Sequence, residues 1–261
     1  MITEKSPWNK IEEEAMSRLA RDISNMKILA LDSSGLVASV AIVTEDAMLA
    51  EYTVNYKKTH SQTLLPMLNE IVKMVEINMD EIDAIAVAAG PGSFTGLRIG
   101  SATAKGLGLA LNKPVVAVGT LDGLAYNLCG TAQLVCPIMD ARRNQVYTGI
   151  YHCAENQLRV VREQSAMAVE ELIKEINAIG KEVIFLGDGT TVYGEIIAAN
   201  INVPYSFAPV HLSRQRAGAI GALGLELFKK EQYETAAMHE PIYLRVSQAE
   251  RERAERLSQQ D

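Results

Sequence analysis

The chain has 261 residues, a formal net charge of −7, 48% hydrophobic and 22% charged residues, long enough for one large domain or two modest ones. An acidic balance lacks the electrostatic footprint of a protein that grips nucleic acid alone, so any RNA would be held through a more basic partner. No apolar run approaches the roughly 20 residues of a membrane span, and the first residues lack the basic and apolar regions of a signal peptide. Cys129, Cys136 and Cys153 are odd in number and form no C-x-x-C pair, which fits a reducing cytoplasmic setting and argues against a disulfide framework or a zinc knuckle.

Residues 1–25 read as an N-terminal extension, helical from Ser6 and Pro7, while Met26-Lys27 before a strand reads as a second, natural start. From Lys27 the pattern is clear: Ile28 to Asp32 is a buried strand ending in an acid, followed by strands Ser39–Val43 and Met48–Val54. A helix over about 61–77 comes next, then strand Ile85–Ala89, a glycine-rich turn, a helix to Leu111, strand 114–118 and a short helix 120–128. The second half starts over: Leu134 to Asp140 is again an apolar strand ending in an acid, and 145–152 and 158–163 follow as strands. Helix 168–178, strand 182–186, helix 192–199 and a long helix 213–229 complete it, before a mixed-charge tail after Arg245. The reading is an α/β protein of two related lobes, residues 26–130 and 131–261, with the final helix able to dock back on the first lobe.

The segment Gly90-Pro91-Gly92-Ser93-Phe94-Thr95-Gly96-Leu97-Arg98-Ile99-Gly100 is the most informative in the chain. Strand, glycine turn and helix start bring backbone N–H groups and a positive helix end toward an anion. The spacing matches neither the dinucleotide fingerprint nor the P-loop, and glycines also serve tight packing; both readings stand. Around it are two helices rich in apolar surface. On the first, Leu64, Leu65, Leu68, Ile71, Val72 and Val75 share one face with Met67 and Met74 beside it, an arc of roughly 180° where about 100° covers a sheet. On the second, Leu97, Gly100, Ala104 and Leu107 lie among small residues. Excess apolar area on adjacent helices points to a subunit interface, the other reading being burial inside their own domain.

These segments, with Thr59-His60-Ser61-Gln62, Asp140 to Tyr147 and Pro241 to Arg245, resemble the bacterial TsaB (YeaZ) family over 26–245. The resemblance implies a two-lobed actin/Hsp70/sugar-kinase fold and a role in forming N6-threonylcarbamoyladenosine beside the anticodon of tRNAs. It implies partners: the catalytic paralogue TsaD, the ATPase TsaE, and a second copy of the chain through the first-lobe helices, with tRNA met only through the complex. The paralogue holds a metal through two histidines four residues apart after the strand matching 114–118; here Thr120 and Leu124 stand at those positions. No catalytic residue, metal or cofactor is therefore expected, and a metallopeptidase is the least supported reading. The remaining alternative is an ATPase or small-molecule kinase, with an anion or nucleotide held by Asp32, Ser33, Ser34, Gly187 and Gly189.

Overall fold

The computed structural model describes residues 26–56, 59–154 and 157–245; the expected N-terminal helix and the charged tail lie outside the described residues. Strand β1 (Ile28–Asp32) is buried throughout, as an apolar run must be when both faces of a sheet are covered. It pairs antiparallel with β2 (Ala38–Val43), which pairs antiparallel with β3 (Met48–Val54). On its other side β1 runs parallel to β4 (Ala84–Gly90), and β4 to β5 (Val115–Gly119), giving the order β3-β2-β1-β4-β5.

The second half repeats this order. Strand β6 (Leu134–Asp140) pairs antiparallel with β7 (Gln145–Ala154), β7 with β8 (Gln157–Ala168), and β6 runs parallel to β9 (Val183–Leu186), with β10 (Tyr205–Phe207) outside it. The duplicated two-lobed α/β architecture expected from the sequence is thus present in matching strand order.

Helices α1 (His60–Met74) and α2 (Phe94–Leu111) cover one face of the first sheet, where Leu64, Leu68 and Ile71 pack against Leu29, Leu31 and Val87. Helices α4 (Val169–Ile179) and α5 (Gly189–Asn200) cover the matching face of the second, around Phe185, Ile173 and Ile197. The remaining two helices are exchanged. Helix α3 (Thr120–Tyr126), which follows the first sheet in sequence, packs Leu121 and Leu124 on Val135 and Leu186 of the second. Helix α6 (Ala217–Lys229), which follows the second sheet, packs Ala217, Ile220 and Leu225 on Ile28, Ala30 and Ala86 of the first.

The N-terminus of α6 is capped by distant residues. Glu51 Oε1 accepts from Gly218 N at 2.8 Å, Ser39 Oγ accepts from Ala217 N at 2.8 Å, and the Glu51 carboxylate also pairs with Arg216. A carboxylate at a helix N-terminus satisfies orphan N–H groups and complements the dipole. This explains why α6 starts at Ala217 rather than Ser213: Arg216 is extended (φ −142°, ψ 128°) to make the pair.

Other departures from the sequence reading have similar tertiary causes. Strand β8 continues to Ala168 because β7 offers partners along its whole length, ending with Gln145 opposite Ala168. The short β10 and the 3-10 turn Met79–Glu81 carry too few residues to show a period. The cysteine reading is corrected: Cys129 and Cys153 form a disulfide with Cα atoms 4.9 Å apart, and Cys136 alone is free, buried in the second lobe. Topology makes that pair, since the chain after α3 returns to β7, where Gly130 N donates to Cys153 O at 3.3 Å.

Candidate functional site

The glycine turn between β4 and α2 sits on the loop after β1. Gly92 faces the Ser34 carbonyl and Gly96 the Ser33 carbonyl so closely that a Cβ at either would enter the backbone oxygen; one at Gly100 would lie 2.6 Å from Ser33 Oγ. Gly90, at φ +132°, lies under the Ile242 carbonyl. Ser93 N donates to Ser34 O at 2.6 Å, while Ser93 Oγ caps α2 by accepting from Gly96 N at 3.3 Å. Of the two readings of this motif, tight packing is the one its glycines serve here.

The five residues read as anion contacts are likewise engaged with the protein. Ser33 Oγ donates to Gly96 O at 2.8 Å. Ser34 donates from both N and Oγ to Asp32 Oδ1, at 2.9 and 2.7 Å. Asp32 is buried, and desolvation pushes its carboxyl up to about 6 despite those bonds. Gly187, at φ +99°, and Gly189 pack against the Ile138 carbonyl. These two glycine turns occupy equivalent places in the two lobes and flank one cleft.

That cleft has a volume of about 780 Å³ and runs between the lobes. Its first-lobe wall includes Ser34, His60 and Ser93, its second-lobe wall Arg142, Asp188 and Arg214. Residues 241–245 strap across it: Ile242 N donates to Ala89 O at 2.7 Å, and Arg245 Nη1 to Ala141 O at 2.9 Å. The Tyr243 ring stacks on Phe94 at 4.4 Å, and Arg98 lies over the same Phe94 ring at 4.1 Å. Sequence reasoning quoted this strap as a motif but gave it no place, and it passed over Arg214 and Gln215; an irregular segment has no period to reveal where it docks.

The helix pair is resolved by burial. Leu64, Leu68, Ile71, Leu97 and Ala104 are buried in the first lobe's own core, Gly100 is buried on Ser33, and Val75 and Leu107 are partly covered. As surface residues the six buried ones are corrected, while Val75 and Leu107 keep part of their surface: the apolar stripe that the sequence shows first is the one a helix turns to its own sheet. Elsewhere on the two helices Leu65 keeps 53%, Met74 83% and Leu109 62% exposure, with Ala102, Gly106 and Ala110 also exposed.

Thr120 and Leu124, at the positions matching the metal-binding histidines, are both buried. Among the described residues no group of three His, Cys, Asp or Glu side chains is placed to hold a metal, and no helix is long and apolar enough to cross a membrane.

Comparison with known proteins gives a consistent set of relatives. The family described as TsaD: tRNA N6-adenosine threonylcarbamoyltransferase matches residues 47–253. The tRNA threonylcarbamoyladenosine biosynthesis protein TsaB of Bacillus subtilis is 35% identical over 230 residues, covering 86% of this chain and 96% of that protein. Its Escherichia coli namesake is 31% identical over 174 residues, 66% of this chain and 75% of that one. Among solved structures, YeaZ from Pseudomonas aeruginosa superimposes with a TM-score of 0.73 at 28% identity, covering 84% of this chain and all of that one.

Proposed function

This chain belongs to the TsaB (YeaZ) family, and from that premise we propose that it is a non-catalytic interaction subunit in N6-threonylcarbamoyladenosine formation on tRNA. Its catalytic partner is a TsaD-like transferase, with a TsaE-like ATPase joining the larger complex in the cytoplasm. tRNA is engaged through the assembly, in keeping with the chain's net charge of −7. The buried Thr120 and Leu124 offer no imidazole where the catalytic relative needs one, which supports a supporting role.

The observation that carries the reading is the outer face of α1 and α2. Leu109 is large and exposed on the same face of α2 as the small exposed Ala102, Gly106 and Ala110, and α1 beside it exposes Leu65 and Met74. Large apolar side chains beside small ones make a surface that a second helix pair can approach closely, and such patches mark partner sites. The same face serves a second copy when the catalytic partner is absent. The proposed division of labour places this face in the lobe before residue 130 and leaves the second lobe, from residue 131, as its counterweight.

The test is co-purification with the organism's TsaD-like protein, followed by a tRNA-modification assay with and without this chain. Leu65→Arg with Leu109→Arg should leave the melting temperature within a few degrees of wild type and abolish both co-purification and stimulation of modification. Retention of the complex by the folded double variant sinks the proposed face. Stimulation of modification without any stable complex sinks the interaction reading. Leu68→Arg is the control: it buries a charge in the core and should unfold the chain rather than reveal an interface.

A further inference from the structure

Arginines and stacked aromatic rings run together along the exposed side of the 241–245 strap. Arg98, on α2, lies over the Phe94 ring at 4.1 Å and donates from Nε to the Tyr243 hydroxyl at 3.3 Å. Tyr243 stacks on that same ring and stays 39% exposed. Two residues on, Arg245 Nη1 donates to Ala141 O at 2.9 Å, which brings the end of the strap to the turn between β6 and β7. Arg142 and Arg143 follow Ala141 and are exposed. One rim thus carries Arg98, Arg245, Arg142 and Arg143 with Phe94 and Tyr243 among them.

The turn that presents Arg142 and Arg143 goes against their own backbone preference. Arg142, Arg143 and Asn144 have φ of 66°, 55° and 58°, the left-handed region where asparagine is at ease and arginine is not. Asp140 Oδ1 accepts from Arg142 N at 2.8 Å and Gln145 N donates to Arg142 O at 3.1 Å, which fixes the bend. Glycine or asparagine would make the same bend with less strain, so the bend does not account for two arginines in it.

Internal ion pairing does not account for them either. Among the described residues, Asp140 alone lies within ion-pair reach of any of these four arginines, 3.4 Å from Arg142, whose side chain is 87% exposed. Glu240, just before the strap, and Asp188, in the second lobe, pair with none of the four. On a chain of net charge −7 this rim is a local excess of cations. Guanidinium forks suit phosphate oxygens, and aromatic rings beside them suit the bases and sugars of an unpaired strand. An acidic protein surface would meet the charge and leave the rings without a role.

We propose that this rim contacts the tRNA backbone once the assembly has formed, with phosphates on Arg142, Arg143 and Arg245 and the exposed Tyr243 beside them for a sugar or base; this rests on the reading above that the chain works in tRNA modification. A few phosphate contacts on an acidic chain are too weak to hold RNA alone, so the rim acts only when the catalytic partner supplies the rest. Arg142 and Arg143 belong to the second lobe, whereas the proposed partner face lies on α1 and α2 of the first, so the two surfaces are separable by substitution.

The test is binding of unmodified tRNA, across a series of salt concentrations, to the complex of the full chain with the organism's TsaD-like protein. Arg142→Gln with Arg143→Gln should leave co-purification intact, weaken tRNA binding about tenfold and lower the slope of log affinity against log salt by about 1 to 2, as two lost phosphate contacts require. Arg142→Lys with Arg143→Lys should restore most of the affinity, because lysine keeps the charge that a phosphate needs. Unchanged affinity and slope in the glutamine variant overturn the proposal and leave the interaction reading in place. Loss of the catalytic partner instead of tRNA also overturns it and assigns the rim to an acidic protein surface. A wild-type chain that forms no tRNA-binding complex overturns both readings together. Should the glutamine variant fail to fold, Arg143→Glu decides, since the Arg143 side chain makes no bond among the described residues: a drop of more than about tenfold supports the rim, and unchanged binding overturns it.

Discussion

The β4–α2 turn of the first lobe and the β9–α5 turn of the second are the same element drawn twice, and they have been settled differently. In the first, Ser93 bonds Ser34 and caps its helix, Gly92 and Gly96 lie on backbone carbonyls, and residue 242 closes the top. In the second, Asp188 stands at the equivalent helix start without a capping bond, leaves a buried oxygen unpaired, and the turn is held from outside by Arg214 on Gly187 O. Duplication supplies two turns that flank one cleft; local hydrogen bonding decides which is a fully bonded packing joint and which keeps a buried oxygen unpaired.

The largest effect that would separate the two turns comes from adding a methyl group. Gly96→Ala must push the Ser33 backbone carbonyl, and a loss of about 3 kcal/mol is expected in urea unfolding. Gly189→Ala meets Ile138 O at 2.9 Å, a tight but smaller misfit, and should cost about 1 kcal/mol. Equal losses at the two sites would erase the distinction between a sealed and an open turn.

Next in size is the pH response of Asp32. Its carboxyl, raised from 3.8 to about 6, binds its proton more tightly in the folded state than in the unfolded chain. Stability is therefore highest below the unfolded value and falls as pH rises toward 6, by about 2 to 3 kcal/mol, then levels. Asp32→Asn should remove most of that slope; Asp188, also raised, leaves a remainder of the same sign. Unfolding midpoints measured across this range test it, and an unchanged slope in Asp32→Asn would show that Asp32 is not its source.

Smaller still is the cap difference. Ser93→Ala should cost about 1 kcal/mol, whereas Asp188→Ala loses no capping bond and should be neutral or slightly stabilising. The smallest change has the opposite sign. Gly106 in α2 has open space around a Cβ, so Gly106→Ala should gain up to about 1 kcal/mol in helix propensity. If that gain appears while affinity for the catalytic partner falls, the glycine is kept for close approach by a partner; unchanged affinity would place the contact elsewhere.

Much of the fold was legible. Strands β1, β4, β6 and β9 are short apolar runs flanked by turn residues, and the repeat of strands then alternating helices gave the duplication. The limits of the site reading are instructive. Leu64, Leu68 and Ile71 form the visible apolar stripe, but periodicity cannot tell a core face from a partner face when both are apolar. Leu65, within the same apolar arc, and Met74, beside it, are the residues left outside. Gln215 and Arg214 carry no local signal, since their placement depends on a chain segment crossing between lobes.

The sequence by itself determined the two-lobed α/β pattern and most of the succession of strands and helices along each half, because hydrophobic period and turn chemistry are local properties, while the order of strands within each sheet came from the structure. It also excluded the metal-ligand spacing at residues 120 and 124. Only the tertiary structure decided that α3 and α6 exchange sheets, that Cys129 meets Cys153, and that one glycine turn is sealed while its twin keeps unpaired groups. Those outcomes depend on contacts between residues far apart in the chain, whose hydrogen bonds and burial exist only once both lobes are in place.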